Sequence, residues 1–120
     1  MIKNLMKFGD HQAVISYDPE IEMFRGEFVN LNGGADFYAS TVDGLRDEGQ
    51  KSLDIFLDEC QKAGIEPVKP YSGKFVVRVD PKLHAAASIA AAAGGKSLNQ
   101  LAEEALRHAI ENDEGFAVAA

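Results

Sequence analysis

The sequence predicts an α+β chain in two parts, a small ββ(β)α domain over residues 1–70 and a strand-helix-helix domain over residues 71–120. Three observations carry this. Apolar side chains alternate with period two early in the chain, and they recur at helical spacing later. Between the two parts, Gly64-Ile65-Glu66-Pro67-Val68-Lys69-Pro70-Tyr71-Ser72-Gly73 holds two prolines and two glycines, which suits an extended connector better than a regular element. Charge divides at the same place. Up to Pro70 there are 7 basic and 13 acidic residues, and after it 5 and 6, so the halves carry net charges of −6 and −1.

Ala13, Ile15 and Tyr17 alternate in a first strand, and Phe24, Gly26 and Phe28 in a second after the turn Asp18-Pro19-Glu20, which together predict a hairpin. The turn-rich Asn30-Leu31-Asn32-Gly33-Gly34 precedes a short third strand, Phe37 to Ala39. Ser40, with Asp43 three residues on, is the expected N-cap of a helix. Val42, Leu45, Leu53, Phe56, Leu57 and Cys60 fall close to one face of it, acidic residues and lysines populate the rest, and Gly64 ends it at C′.

In the second part, Lys74-Phe75-Val76-Val77-Arg78-Val79 favours a strand that Pro81, just after Asp80, stops while opening a helix. Leu83, Ala86, Ala87, Ala90 and Ala93 give that helix a thin apolar stripe that buries little area per residue. Ser97 and Gln100 form a capping box for a last helix carrying Leu98, Leu101, Ala102, Ala105, Leu106, Ala109 and Ile110. From Glu111 to Ala120 a fraying tail is expected.

A chain of 120 residues can bury roughly two-thirds of its unfolded surface as one unit, so a modest core needs no cross-link. The net charge of −7 argues against non-specific binding to nucleic acid or an anionic membrane, although an acidic chain can carry a local basic reader. A single cysteine, Cys60, excludes an intramolecular disulfide and a zinc site built on cysteine pairs. With no secretory pattern and no run near the ~18 apolar residues of a membrane span, a soluble, cytoplasmic protein is expected, with no membrane partner.

One short strand with two thin helices cannot complete a core or satisfy its own backbone at roughly 50 residues, so it should pair, most simply with its own copy. In an antiparallel pair Phe75, Val77 and Val79 would share the face packed on the helices, leaving Lys74, Val76 and Arg78 on the other. Such a ribbon fits the DNA major groove, where Lys or Arg can donate to guanine O6 and N7 and a valine can touch a thymine methyl. The helix opening at Ser97 offers free N–H groups to a phosphate, with Lys96 beside it. The alternative from the residues alone is an edge strand of a single-chain sheet, with Lys74 and Arg78 as solvated charges that discourage aggregation.

The stretch Ser72-Gly73-Lys74-Phe75-Val76-Val77-Arg78-Val79, followed by Leu83-His84 and Gly95-Lys96-Ser97-Leu98-Asn99-Gln100, resembles the ribbon-helix-helix module at the end of many HicB antitoxins. Tyr17-Asp18, Phe24-Arg25-Gly26, Leu53-Asp54, Cys60 and Gly64-Ile65-Glu66-Pro67 resemble the same family, so the likeness spans nearly the whole chain. It implies a partly degraded ribonuclease-H-like N-terminal domain that masks a small HicA-like messenger-RNA-cleaving toxin. It also implies a C-terminal domain that represses the shared operon by binding operator double-stranded DNA. Some family members carry a helix-turn-helix instead, from which the alternating strand before Pro81 departs. Carried over residue by residue, Lys74, Val76 and Arg78 are the candidate base readers, and Lys96, Ser97 and Leu98 the phosphate contacts. The expected assembly is a homodimer through the strand, extendable to a higher homo-oligomer if N-terminal domains associate. An acidic first half suits a basic toxin, without naming contact residues.

The other chemistries have weaker support. Asp18, Glu20, Glu22 and Glu27 lie in a turn and along a strand, Glu20 and Glu22 sharing a face by spacing, but a solvated face explains them more simply than two-metal nuclease chemistry. No enzyme activity is expected. His11, His84 and His108 lack ligand spacing, Cys60 is a small buried hydrophobe, and Gly94-Gly95 is a tight turn between helices, so no metal and no cofactor is expected. A stand-alone ribbon-helix-helix regulator with a ligand- or protein-binding N-terminal domain is the main rival. An adjacent short, basic reading frame would favour the toxin pairing over it.

Overall fold

A computed structural model describes residues 3–111 of the chain, which divides into two compact units, Lys3–Ser72 and a second from Gly73 onward. The first unit contains four strands, β1 (Leu5–Phe8), β2 (His11–Asp18), β3 (Met23–Phe28) and β4 (Asp36–Ala39), followed by α1 (Val42–Ala63). The strands form one antiparallel sheet in sequential order. The second unit contains α2 (Pro81–Ala93) and α3 (Leu98–Glu111). The chain is thus α+β, with one strand more in its first part than ββ(β)α.

The expected hairpin is present in register: Ala13 pairs with Phe28, Ile15 with Gly26 and Tyr17 with Phe24. The additional strand β1 pairs with β2 through Leu5–Val14 to Phe8–His11. Its two-residue loop begins with Gly9 at φ 64, the left-handed backbone a tight hairpin needs where glycine comes first. Glu20 and Glu22 do not share a strand face. Both lie in the turn between β2 and β3, where the Glu20 amide donates to Asp18 Oδ1 at 3.0 Å and Glu22 has φ 52.

Helix α1 starts one residue later than Ser40 suggests. Thr41, in extended backbone at φ −135, accepts the Gly44 amide at 3.0 Å and is the N-cap. Leu45, Gly49, Leu53, Phe56 and Cys60 are its buried residues, spaced by three or four, while Val42 is exposed and Leu57 only partly buried against the core. Gly64 closes the helix at φ 70, its amide donating to the carbonyls of Cys60 and Gln61.

The helix lies on one face of the sheet, against β4 and, less extensively, β3. Met6, Phe8, Ala13, Phe28, Phe37 and Ala39 of the strands share one core with its buried residues. Phe8, Phe28 and Phe37 form a triangle of rings with centroids 5.1–5.7 Å apart, each ring stabilising the unit by about 1.5–3 kcal/mol through burial. Two glycines permit the approach. A Cβ on Gly26 would lie 2.1 Å from the Phe37 ring, and one on Gly49 2.4 Å from the Phe8 ring. On the uncovered face of the sheet, Arg25 spans Glu27 and Asp36, each 2.5 Å from its Nη2. The hydrogen bond to Asp36 holds the guanidinium above its usual range despite partial burial.

The connector after Gly64 is extended but tied down. Val68 bridges to Leu31, the Asn32 amide donates to the Pro67 carbonyl, and the Lys69 amide to that of Asn30. The Asn32 side chain donates to the Glu66 carbonyl at 2.8 Å, and Tyr71 Oη to Asn30 Oδ1 at 2.5 Å.

In the second unit, residues 74–80, which include the expected strand Lys74–Val79, form no strand among the described residues. Asp80 caps α2 by accepting the Lys82 amide at 2.7 Å, with Pro81 at the first helical position. Ala91 is the one buried residue here among the described residues, and Ala87 is half-buried. Of the expected stripe only Ala87 is half-buried, while Leu83, Ala86, Ala90 and Ala93 are exposed; the buried position is Ala91, one helical turn on from Ala87 and outside that stripe, and Ile89 is exposed too. The turn between the helices is tight. The Gly94, Gly95 and Lys96 amides donate to the carbonyls of Ala90, Ala92 and Ala91, with Gly95 at φ 70. Glu111 ends α3, and the expected tail over residues 112–120 lies outside the described residues.

Candidate nucleic-acid interface

The second unit has a folded helical pair but almost no interior. Phe75, Val77 and Val79 are 68%, 62% and 45% exposed, so the face expected to pack on the helices is open to solvent in one chain. Val76, expected on the outward face, is 98% exposed. A backbone segment buried away from water needs a neighbouring strand to satisfy its N–H and C=O groups, and among the described residues none forms a ladder with residues 74–79. Lys74, Val76 and Arg78 alternate along this segment, and all three residues are exposed.

Lys96, Ser97 and Leu98 come together in the turn that opens α3. The capping box is complete: the Ser97 amide donates to Gln100 Oε1 at 2.8 Å, and the Gln100 amide to Ser97 Oγ at 3.1 Å. The Leu101 amide donates to the Ser97 carbonyl, and Leu98 is just exposed at 37%. Lys96 is engaged within its own unit. Its Nζ lies 2.5 Å from Glu104 Oε2, a partner eight residues on that no local sequence pattern signals.

The acidic residues of the first unit are dispersed: Asp18 in its turn contact with Glu20, Glu27 and Asp36 on Arg25, and Asp54 on Gln50. No group of three or more His, Cys, Asp or Glu side chains is placed to hold a metal among the described residues. Cys60 is a free thiol in the core. A shallow groove of about 210 Å³ is lined by Gly34, Ala35, Asp36, Ser52, Ile55, Phe56 and Glu59. Among the described residues, no helix is long and apolar enough to cross a membrane.

No curated protein and no solved structure gave a significant match to the chain. Residues 56–106, from the last two turns of α1 through the extended segment and α2 into α3, match the family model described as the HicB family, which supports a HicB-type protein.

Proposed function

We propose that this chain is a HicB-type antitoxin, which masks a HicA-like, messenger-RNA-cleaving toxin and represses its own operon as a dimer. The family match favours a role in a toxin–antitoxin system, and the matched span includes every candidate DNA contact. The observation that carries the DNA-binding half is the exposed segment Phe75–Val79, which forms no ladder among the described residues, ahead of two helices that bury little on their own. Pairing this segment with its copy would hydrogen-bond both backbones and cover Phe75, Val77 and Val79. Lys74, Val76 and Arg78 of both chains would then project from one two-stranded ribbon, a shape the major groove admits. The Leu98 and Asn99 amides, with Lys96 beside them, would meet a phosphate.

The first unit, whose acidic excess suits a basic partner, is read as the toxin-masking domain on a reduced ribonuclease-H-like plan without catalytic function of its own. Titration of the purified chain against its own upstream DNA at two salt concentrations tests the proposal. Tight, salt-sensitive binding is expected. Arg78→Ala should cost about 1–3 kcal/mol and relax sequence choice, and replacing Lys74 and Arg78 together should abolish specific binding. Binding untouched by the double substitution would remove the ribbon as reader. An absence of binding at either salt would leave masking of the toxin as the whole function.

A further inference from the structure

We infer that Glu104 holds Lys96 away from the phosphate position at the start of α3, and thereby sets both the affinity and the salt dependence of operator binding. The inference rests on the DNA-binding reading above. Lys96 precedes the capping residue Ser97, where its ammonium could reach a phosphate bound at the first turn. Its side chain runs the other way. A Cβ placed on Gly94 would come within 3.4 Å of Lys96 Cε, so the stem passes over that glycine, and Nζ ends 2.5 Å from Glu104 Oε2. Glu104 is the seventh residue of α3, roughly 9 Å along the axis from Leu98 at the helical rise.

Among the first-turn amides, Gln100's is taken by Ser97 Oγ and Leu101's by the Ser97 carbonyl, which leaves those of Leu98 and Asn99 for an anion. Two amides without an adjacent cation make a weak phosphate contact. To recruit Lys96, a phosphate must displace a carboxylate already in contact with it. Both partners retain solvent access, at 32% and 59% of the side chain, so the pair is exchangeable and its effect small enough to tune rather than to block.

Glu103 supplies a charge-matched control. It sits one residue earlier on α3, about 100° round the helix, and pairs with Arg107 at 3.6 Å instead. Operator binding by the full-length chain is measured across a salt series for the wild type, Glu104→Gln, Glu103→Gln, and Lys96→Ala in the wild-type and Glu104→Gln backgrounds, with melting temperature as the folding control. Glu104→Gln is expected to tighten binding about two- to five-fold at low salt, the effect of releasing one exposed ion pair. The slope of log affinity against log salt should steepen by about one phosphate contact. Lys96→Ala should weaken binding in both backgrounds, but by a larger factor in Glu104→Gln, where it should cancel the gain. An equal gain from Glu103→Gln would reduce the effect to net charge, and an equal cost of Lys96→Ala in both backgrounds would show that Glu104 does not restrain the lysine. Either result overturns the inference while leaving DNA binding intact. If the wild type and every variant fail to bind, the DNA-binding reading falls and the inference with it.

Discussion

The two units of this chain solve the problem of a small core in opposite ways. Lys3–Ser72 buries twelve apolar residues between a sheet and a helix. The unit beginning at Gly73 buries Ala91 alone among its described residues and leaves Phe75, Val77, Leu83 and Ile89 largely exposed. Helices of similar regularity occur in both, so the difference is not one of local structure. It lies in side-chain volume: α1 offers Leu, Phe and Cys to a sheet lined with Phe, whereas α2 offers alanine to one other helix. A stripe of alanine lets backbones come close but removes little apolar area from water. The first unit has what a fold needs within one chain, and the pairing proposed above would supply the second with the core it lacks.

The largest expected effect that could break this contrast is in the first unit. Phe37 packs against the rings of Phe8 and Phe28 and fills the space over Gly26, so Phe37→Ala should cost about 3–5 kcal/mol, most or all of the stability of a unit this size. Thermal unfolding followed by circular dichroism should lose the first unit's transition while the proposed dimerisation, measured by sedimentation, survives. Loss of both together would show that the second unit borrows its stability from the first. Val77→Asp makes the complementary cut. It places a charge on the face that pairing would cover, and should weaken association by at least about 2–3 kcal/mol, near a hundredfold in dimer dissociation constant. The first unit's melting should be unchanged. A dimer that tolerates this aspartate is not held together by the residue 74–79 strand.

What could be read in the sequence follows the same division. Signals local in the chain translated directly into structure: the β2–β3 register, Gly64 at the end of α1, Asp80 with Pro81 at the start of α2, and the reciprocal bonds of Ser97 and Gln100. The last three are fixed by backbone sterics or by side chains within four residues, and the register by period-two alternation on either side of one short turn. The four-residue β1 was harder to see, since Met6 and Phe8 give only two apolar positions before Gly9, and the pairing to β2 decides the assignment. The cap shifted from Ser40 to Thr41 because the two hydroxyl residues are adjacent and only backbone geometry selects one. Contacts distant in sequence gave no warning, among them Asn30 to Tyr71, Asn32 to Glu66 and Lys96 to Glu104. Of the candidate DNA contacts, the turn at Lys96–Leu98 could be placed from the capping pattern. The strand bearing Lys74, Val76 and Arg78 could be proposed only by supposing a second chain, because a ribbon is a property of two copies.

The smallest effect sharpens the contrast most cleanly, because the same chemistry can be deleted from each unit. Thr41 Oγ1 accepts the Gly44 amide and Ser97 Oγ the Gln100 amide, at 3.0 and 3.1 Å. Thr41→Ala and Ser97→Ala each remove one N-cap acceptor, and each should cost about 1 kcal/mol. In the first unit that loss should lower the melting temperature by an amount independent of protein concentration, since the core is complete in one chain. In the second, where folding would be linked to association, the Ser97→Ala transition should move with concentration, and raising the concentration should recover most of the lost melting temperature. A concentration-independent shift for Ser97→Ala would mean that α2 and α3 hold together as a monomer despite burying little more than Ala91, and the argument from the missing core would then fail.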